Sequence, residues 1–540
     1  MNSELSSSAL KHLINIGSEL TREQDTTKLL ETILTSAKQL SNSDGGTIYS
    51  ITSNKELKFE TLLNDTLNMY MGGTSGKPIP FPTIPMYIDG EPNSNALVAY
   101  AAATNKIINI SDAYQEGDFN MSAARRMDEN TGYRTKSVLT IPMKNHEQEM
   151  IGVLQLINAQ TEDNEIIDFA PEVEEIIVSL GSMAAIALTN RQLIDDMEEL
   201  FQSLTRLIAR AIDEKSPYTG GHCNRVPELT MMMAEAVCAQ NTGPLADFTM
   251  EDKDKYELSV AGWLHDCGKI STPEVVMDKS TKLETIFDRI ALVDCRIELA
   301  KVETKNQYQQ RIIDALKEGQ PIDSLEAELQ QKLEGFDDDR EFLRKSNVGG
   351  EFMRPEDQQR VADIAKKHKV TIAGHQQDLL TSNEVANLSI AKGTLLPEER
   401  EIINHHMVVT IDMLESLPFP KHLRKVPEYA GGHHEKMDGT GYPKGLKRDE
   451  MSVPARMMAI ADIFEALTAA DRPYKPAKKL SECLKIMGFM KLDHHIDPDL
   501  FDVFIDQKVY LEYAHQFLDK KQIDDVDLAK IPGYVPPDQR

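Results

Sequence analysis

The spacing of apolar residues divides the first part of the chain into segments with helical and strand-like periods. One helix, four strand-like segments and a second helix follow one another, an order typical of α+β domains. We therefore predict an α+β domain over residues 1–190, with an antiparallel sheet and flanking helices. The predicted elements are a helix over 25–40, strands over 46–51, 57–62, 137–142 and 151–158, and an apolar helix over 173–188.

A linker helix over residues 191–213 is predicted to follow this domain. Its apolar residues recur at alternating separations of four and three after a first heptad step, which is the a/d seam of supercoiled helices. The alternative is an amphipathic helix packed on its own domain, because only about three heptads are present. We favour a parallel homodimer, whose helix passes a change in the first domain to the second. The seam consists of Ile186, Leu193, Met197, Leu200, Leu204, Leu207 and Ala211.

The remaining chain, residues 214–540, is predicted to be an all-α bundle with a helical insertion at about 280–395. Segments 284–305, 308–317 and 322–333 are rich in Glu, Gln, Leu, Lys and Ala, which favour helices. His368 of the insertion is flanked by lysines, so we expect it to lie on a solvated face. We assign no site role to it or to His375. Whether the insertion covers a pocket or forms a dimer contact stays open.

Two motifs in this second half carry the chemistry. One runs from His433-His434 through a glycine-rich turn to Gly441-Tyr442-Pro443, and the other is His265-Asp266-Cys267-Gly268-Lys269. Gly268 is expected to end the helix before it, and Ala430-Gly431-Gly432 to give the backbone freedom for His433 and His434 to face inward. Histidine nitrogens and aspartate oxygens are suitable ligands for iron or manganese. Two such ions can hold both the attacking and the leaving oxygen of an in-line displacement at phosphorus.

Three further residues are candidates for the same site. His222 is expected at a helix start, and His406 on the inner face of a helix beginning after Pro397, with Ile402 and Met413. Asp462 interrupts an apolar run, where a buried carboxylate needs a partner such as a metal ion.

These motifs resemble the HD-GYP family of cyclic dinucleotide phosphodiesterases. The resemblance implies two divalent ions that share Asp266, with a hydroxide between them as nucleophile. It also implies that Lys269 lies near the substrate phosphate and acts with Asp266 in catalysis, and that Tyr442, Arg472 and Lys475 meet the dinucleotide. The implied ligands are His222, His265, Asp266 and Asp462 for one ion and Asp266, His406, His433 and His434 for the other.

The sequence departs from the family pattern at several points. Members with a third metal have a glutamate where this chain has Tyr218, so we expect two ions. His405 and His406 compete for one ligand position, and the spacing to Thr410 and Leu414 favours His406, which leaves His405 facing outward. The insertion separates the His-Asp motif from that histidine.

The first domain resembles GAF domains, which often bind small molecules or mediate dimerisation. The resemblance rests on residues 130–135 before one strand and on Gly152-Val153-Leu154-Gln155 within the next. Asn105-Lys106, Phe119 and Asp128-Glu129 are similar to a cyclic-nucleotide-binding motif, with a longer gap before Asp128. A small-molecule sensor and a dimerising scaffold therefore both stay open.

Composition favours a cytoplasmic signalling enzyme. The formal net charge of -28 disfavours binding to DNA, RNA or anionic membrane. The longest apolar stretch, 176–188, is too short to cross a bilayer, and the N-terminus lacks a basic region before an apolar one. Five cysteines without paired spacing indicate a reducing compartment.

The expected reaction is hydrolysis of cyclic di-GMP to the linear dinucleotide, and a further step to GMP stays open. A mixed cyclic GMP-AMP is the competing substrate, because the candidate residues hold metal and phosphate and do not select the base. A receptor that binds the dinucleotide without cleaving it is the alternative outside catalysis.

Overall fold

The computed structural model describes residues 2–115, 119–120, 125, 128–129, 131–215, 221–350, 352–470 and 477–539. It forms two compact units, residues 1–201 and 202–540. The division falls inside a single long helix. Within the described residues, no helix combines the length and the apolar character that crossing a bilayer requires.

An antiparallel sheet organises the first unit, as the apolar pattern predicted. The strands are β1 (Ser43–Ile51), β2 (Glu56–Asn64), β3 (Met69–Gly72), β4 (Ile84–Pro85), β5 (Tyr87–Ile88), β6 (Glu91–Pro92), β7 (Ile108–Ile110), β8 (Val138–Lys144), β9 (Met150–Gln160) and β10 (Ile166–Ile167). Their order in the sheet is β3-β2-β1-β9-β8-β7, with β4 paired to β2 and β10 to β9; β5 and β6 form a separate hairpin.

Helices cover this sheet with their apolar faces. Asp25 starts the second helix by accepting hydrogen bonds from the amides of Thr27 and Lys28, which would otherwise lack partners. Ile33 of that helix and Ile177 of the long helix are fully buried in one core with Leu154 of β9. The helices are α1 (Asn2–Arg22), α2 (Thr26–Ser41), α3 (Leu97–Thr104) and the long helix α4 (Pro171–Lys215).

The second unit is mostly helical, as predicted. Its core includes the fully buried rings of Phe464, Phe501, Phe504 and Tyr513. The helices outside the insertion are α5 (His222–Cys238), α6 (Asp252–Leu264), α7 (Glu274–Met277), α12 (Pro397–Asn404), α13 (His406–Glu415), α14 (Val426–Gly431), α15 (Val453–Thr468), α16 (Leu480–Leu492), α17 (Pro498–Asp506) and α18 (Val509–Phe517), the numbers between belonging to the insertion.

The predicted insertion is mainly helical and has its own core, in which Val293, Leu343 and Val361 are fully buried. One continuous helix over residues 290–317 replaces the segments predicted over 284–305 and 308–317, and residues 284–289 lie outside it. A short hairpin was also missed. Its elements are α8 (Ile290–Lys317), α9 (Asp323–Asn347), α10 (Pro355–Lys367), β11 (Lys369–Ile372), β12 (His375–Asp378) and α11 (Ser382–Leu388).

The expectation that His368 lies on a solvated face was wrong. Only 8% of His368 is exposed. Its Nε2 lies 2.8 Å from a carboxylate oxygen of Asp339, and its ring packs 4.2 Å from that of Phe336. The neighbouring lysine Lys367 instead extends outward and donates to the same carboxylate at 2.9 Å. His368 therefore serves the packing of the insertion.

Candidate metal centre

His222 is the first residue of helix α5 and is 7% exposed. Nδ1 of His222 donates a hydrogen bond to the carboxylate of Glu465 on α15. Nε of Arg225 donates to the same carboxylate at 2.6 Å. The bond at Nδ1 leaves Nε2 as the coordinating atom. Nε2 lies 3.2 Å from Oδ2 of Asp266 and 3.3 Å from Oδ1 of Asp462.

The His-Asp motif stands directly after helix α6. Nδ1 of His265 donates to the carbonyl of Gly262 at 2.7 Å, so Nε2 again faces the site. This Nε2 lies 3.1 Å from Oδ2 of Asp266 and 3.3 Å from Nε2 of His222. His265 is fully buried and Asp266 is 2% exposed, so both side chains lie in the interior.

Gly268 has a different role from the one expected. Helix α6 already ends at Leu264, before the glycine. A Cβ at Gly268 would lie 2.0 Å from the carbonyl oxygen of His406. The amide of Gly268 also donates to Oγ1 of Thr410 at 2.9 Å. The glycine therefore lets the His-Asp motif approach the backbone of helix α13.

The neighbours His405 and His406 stand where α12 gives way to α13, whereas a single helix was expected there. The break places His406 in the interior at 2% exposure, while His405 is exposed. Nε2 of His406 lies 3.4 Å from Oδ1 of Asp266. Ile402 and Met413, expected on the same inner face, are 43% and 36% exposed, so the expectation for these two residues was wrong.

His433 and His434 follow the end of helix α14. Nδ1 of His433 donates to the carbonyl of Ala430 at 2.6 Å, and the two imidazole centroids lie 4.3 Å apart. Gly432 has φ of -94°, so the special backbone freedom expected there is not used. A Cβ at Gly432 would lie 2.9 Å from that of Ala455, and the glycine therefore serves close packing against α15.

These side chains form two groups around one shared carboxylate. In each group the candidate ligand atoms lie within 4.8 Å of one another. The structure thus brings together all seven residues that the sequence suggested as ligands. The groups are His222, His265, Asp266 and Asp462, and Asp266, His406, His433 and His434.

A metal fits this arrangement for a reason internal to the structure. Oδ1 of Asp266, Nε2 of His406 and Nε2 of His433 are buried and have no hydrogen-bond partner among the described residues. Buried polar atoms without partners are costly, and here three of them converge on one group. Imidazole nitrogen with carboxylate oxygen is a donor set suited to divalent iron or manganese.

Electrostatics within the groups favour charged carboxylates and neutral imidazoles at His433 and His434. Burial opposes the charged form of Asp266, but Lys269 and His265 hold its pKa well below the usual range. Burial lowers the pKa of His434 to about 4 and that of His433 well below its usual value. These two imidazoles are therefore neutral at pH 7, the state in which they can ligate.

Lys269 and Tyr442 both lie at the site, in different ways. Nζ of Lys269 is 2.6 Å from Oδ2 of Asp266, and 22% of its side chain is exposed. The Tyr442 ring stacks on that of His434, with centroids 4.9 Å apart and planes 18° apart. Arg472 and Lys475 lie outside the described residues.

Sequence reasoning missed two acids that support the site. Glu465 lies three residues after Asp462 on helix α15, a spacing that puts both on one face and was the available signal. Glu435, 1% exposed, accepts from the amides of Lys444 and Leu446 at 2.7 and 2.9 Å. It thereby fixes the turn that carries Tyr442.

The first unit contains a separate cavity of about 680 Å³. Aliphatic side chains and aromatic rings line most of it, with a few amide side chains, and no lysine, arginine or histidine is among the described lining residues. Of the residues similar to a nucleotide-binding motif, Asp128 lines it, but its carboxylate accepts from Tyr114 and Thr135. Other lining residues include Tyr49, Phe59, Asn64, Asn95, Tyr133 and Gln155.

Comparison with known families follows the same division. Residues 25–188 match the GAF domain profile, and residues 357–500 match that of the HD domain. The chain joins a GAF domain to an HD domain. The HD match includes His406, His433, His434 and Asp462. A GAF domain from an Acinetobacter phosphoenolpyruvate-protein phosphotransferase, 15% identical, covers 35% of this chain and 98% of its own, with a TM-score of 0.26.

Curated relatives match the chain over short segments. A 3'3'-cGAMP-specific phosphodiesterase 1 of Vibrio cholerae is 45% identical over 80 residues, 15% of this chain and 18% of that protein. A cyclic di-GMP phosphodiesterase of Pseudomonas aeruginosa is 42% identical over 73 residues, 14% of this chain and 17% of that protein. The chain therefore spans less than a fifth of the length of either relative.

Proposed function

We propose that the chain is a metal-dependent phosphodiesterase that opens cyclic di-GMP to the linear dinucleotide. The observation that carries the proposal is the shared carboxylate of Asp266 between two groups of converging ligands. When bound there, two divalent ions would activate water and hold the oxygens of the phosphodiester. Iron and manganese are the metals we propose, from the nitrogen and oxygen donors.

The protein's own side chains prepare the site for this reaction. Lys269 holds Asp266 through a 2.6 Å ion pair and keeps part of its side chain exposed, so its ammonium can meet a phosphate. Tyr442, Arg472 and Lys475 are proposed to contact the dinucleotide. The stacking of Tyr442 on His434 gives this tyrosine a second role, because its ring limits how far that imidazole can turn.

The mixed cyclic GMP-AMP is a second candidate substrate. The observation that favours it is the resemblance to relatives named as 3'3'-cGAMP-specific phosphodiesterases from Vibrio cholerae, at 45% and 41% identity. The residues of the two groups hold metal and phosphate, so they do not distinguish the two rings.

The decisive experiment incubates the full chain, loaded with iron or manganese, with each cyclic dinucleotide and follows the linear products by chromatography. We expect hydrolysis of cyclic di-GMP that is lost in Asp266→Asn and retained in His405→Ala, a change at an exposed neighbouring histidine. Binding without turnover would favour the receptor function. Absence of turnover of both cyclic dinucleotides, with iron and with manganese, would refute the proposed phosphodiesterase activity.

We further propose that the chain is a homodimer joined through helix α4. The seam residues Leu193, Met197, Leu200, Leu204 and Leu207 are between 48% and 70% exposed, so the helix does not bury them in its own chain. Exposed apolar residues at heptad spacing favour pairing with a second copy. Pairing would give the GAF domain a dimerising role.

A regulatory small molecule of the GAF domain is proposed to occupy the 680 Å³ cavity. That volume is in the range of small-molecule sites. The absence of cationic side chains among its described lining residues favours a neutral or weakly polar ligand. We keep cytoplasmic location, and no binding to nucleic acid or membrane, as predictions from the composition.

A further inference from the structure

The last turn of helix α4 touches both segments that carry the His-Asp chemistry. Asp213 is 8% exposed, and its carboxylate accepts from the amide of Gly221 at 3.0 Å and from that of Cys223 at 3.4 Å. Helix α5 begins at His222 and has no capping side chain of its own. Asp213 supplies the missing cap, and its negative charge suits the positive end of the helix dipole.

Lys215 holds the second segment. Its ammonium donates to the carbonyls of Lys269, Ile270 and Thr272 at 3.2, 2.5 and 2.7 Å. An ammonium has three protons, and three carbonyls accept them. These carbonyls belong to the short 3-10 turn directly after Asp266 and to the residue that ends it. The position of the Lys269 side chain, and thus its ion pair with Asp266, depends on that turn.

Residues 205–212 of α4 are also packed within the second unit, so a displacement of this helix would displace the segments it contacts. Ala209 and Ile212 are each 1% exposed, and Thr205 is 4% exposed. The guanidinium of Arg206 lies 6.0 Å from the ring centre of Trp263, two residues before His265. A rotation or axial shift of α4 would therefore move the start of α5 and the turn after Asp266 together.

We propose that Asp213 and Lys215 are positioning residues that set the metal affinity of the site through the last turn of α4. Asp213 acts on His222, and Lys215 acts on the turn that carries Lys269. The inference rests on the proposed function in that the two groups hold metal ions. It goes beyond that function by assigning the end of the linker helix a direct role in forming the centre.

The test measures Mn²⁺ affinity of the full chain by competition with a chelating dye, for Asp213→Asn and Lys215→Gln. We expect affinity to fall about 10-fold to 100-fold, the range for residues that orient metal ligands. Glu214→Gln and Arg210→Gln, at exposed positions of the same helix, are matched controls and should stay within about twofold. Lys215→Arg keeps the donors and should restore most of the affinity.

Two results would overturn the inference. One is wild-type Mn²⁺ affinity in both variants, even where their melting temperature falls. The other is an equal loss of affinity in the two controls. Should Lys215→Gln not fold, Asp213→Asn decides the matter, and wild-type affinity in that variant overturns the inference. A wild-type chain that binds Mn²⁺ and cleaves no cyclic dinucleotide would refute the proposed function and leave this inference standing.

Discussion

At the scale of single residues, the same local hydrogen bond orients three of the histidines at the site. His265, His406 and His433 each direct Nδ1 to the carbonyl three residues earlier, which fixes the tautomer and leaves Nε2 facing the interior. A short-range bond of this kind needs no distant partner. His222 instead directs Nδ1 to the carboxylate of Glu465, 243 residues away. Sequence reasoning therefore found the histidines but not the glutamate.

The shared position of Asp266 leads to the first prediction. Asp266→Asn removes a negative ligand from both groups, so we expect bound Mn²⁺ to fall from two ions per chain toward none. His406→Ala removes a ligand from one group and should cost one ion. The measurement is elemental analysis after dialysis, with the exposed His405→Ala as control. Two ions retained in Asp266→Asn would show that the ligand assignment is wrong.

A buried lysine of the insertion gives a prediction of pH dependence. Lys282 is 2% exposed and donates to the carbonyls of Leu388 and Ile390 at 3.0 and 2.8 Å. Burial lowers its pKa to about 8. Between pH 8 and the unfolded value near 10.5, the unfolded chain binds more protons, so the stability contributed by Lys282 rises with pH.

The check compares melting temperatures of the wild-type chain and Lys282→Met from pH 7.5 to about 10.5, the unperturbed lysine value. We expect the wild-type value to rise relative to the variant as the pH increases. A difference that stays constant or shrinks across this range would contradict the lowered pKa.

At the scale of elements, the sequence predicted periodic helices and strands well and predicted their interruptions poorly. Apolar period identified α2, β1, β2, β8 and β9, because each has one face on a core. The helix break at His405 contains no proline or glycine, so no local sequence signal predicts it. The role of Gly268 is equally hidden, because the atom it must avoid belongs to His406, far along the chain.

The insertion shows the same limit. His368 is surrounded by lysines in sequence, yet its partner Asp339 lies on the preceding helix and buries it. Local composition describes the neighbours along the chain, and burial is decided by neighbours in space. Long-range pairs of this kind could not be predicted from one sequence.

The exposed seam of α4 gives a prediction at this scale. Leu200 is 60% exposed at the middle of the seam, and Leu200→Arg would place a charge where two copies meet. We expect the full chain to change from dimer to monomer at micromolar concentration in sedimentation velocity. Glu199→Arg, at an exposed position beside the seam, should leave the dimer in place. A wild-type chain that is monomeric at this concentration would refute the proposal that two copies pair through α4.

At the scale of the whole molecule, charge acts on an anionic substrate in two opposite ways, by repulsion at long range and by attraction at the site. The formal net charge is -28, so a dianionic substrate is repelled by the protein as a whole. At the site itself, Lys269 and the proposed metal ions attract phosphate. The two influences differ in range, because contacts at the site act over a few ångströms and the net charge acts over the molecular diameter.

Salt separates these two ranges. The Debye length is about 30 Å at 0.01 M ionic strength and about 8 Å at 0.15 M. Added salt should therefore remove the long-range repulsion first, while attraction at contact persists. We expect kcat/KM for cyclic di-GMP to rise as ionic strength increases from about 0.01 to 0.15 M, the span over which that length falls.

The rise should appear mainly in kcat/KM, because steering acts on the encounter and leaves the bound complex unchanged. Steady-state rates at several salt concentrations, repeated with a second monovalent salt of different cation, would measure it and exclude specific ion binding. A steady fall of kcat/KM with salt would mean that the cationic site dominates the field at long range, and the net charge would then have no part in substrate capture.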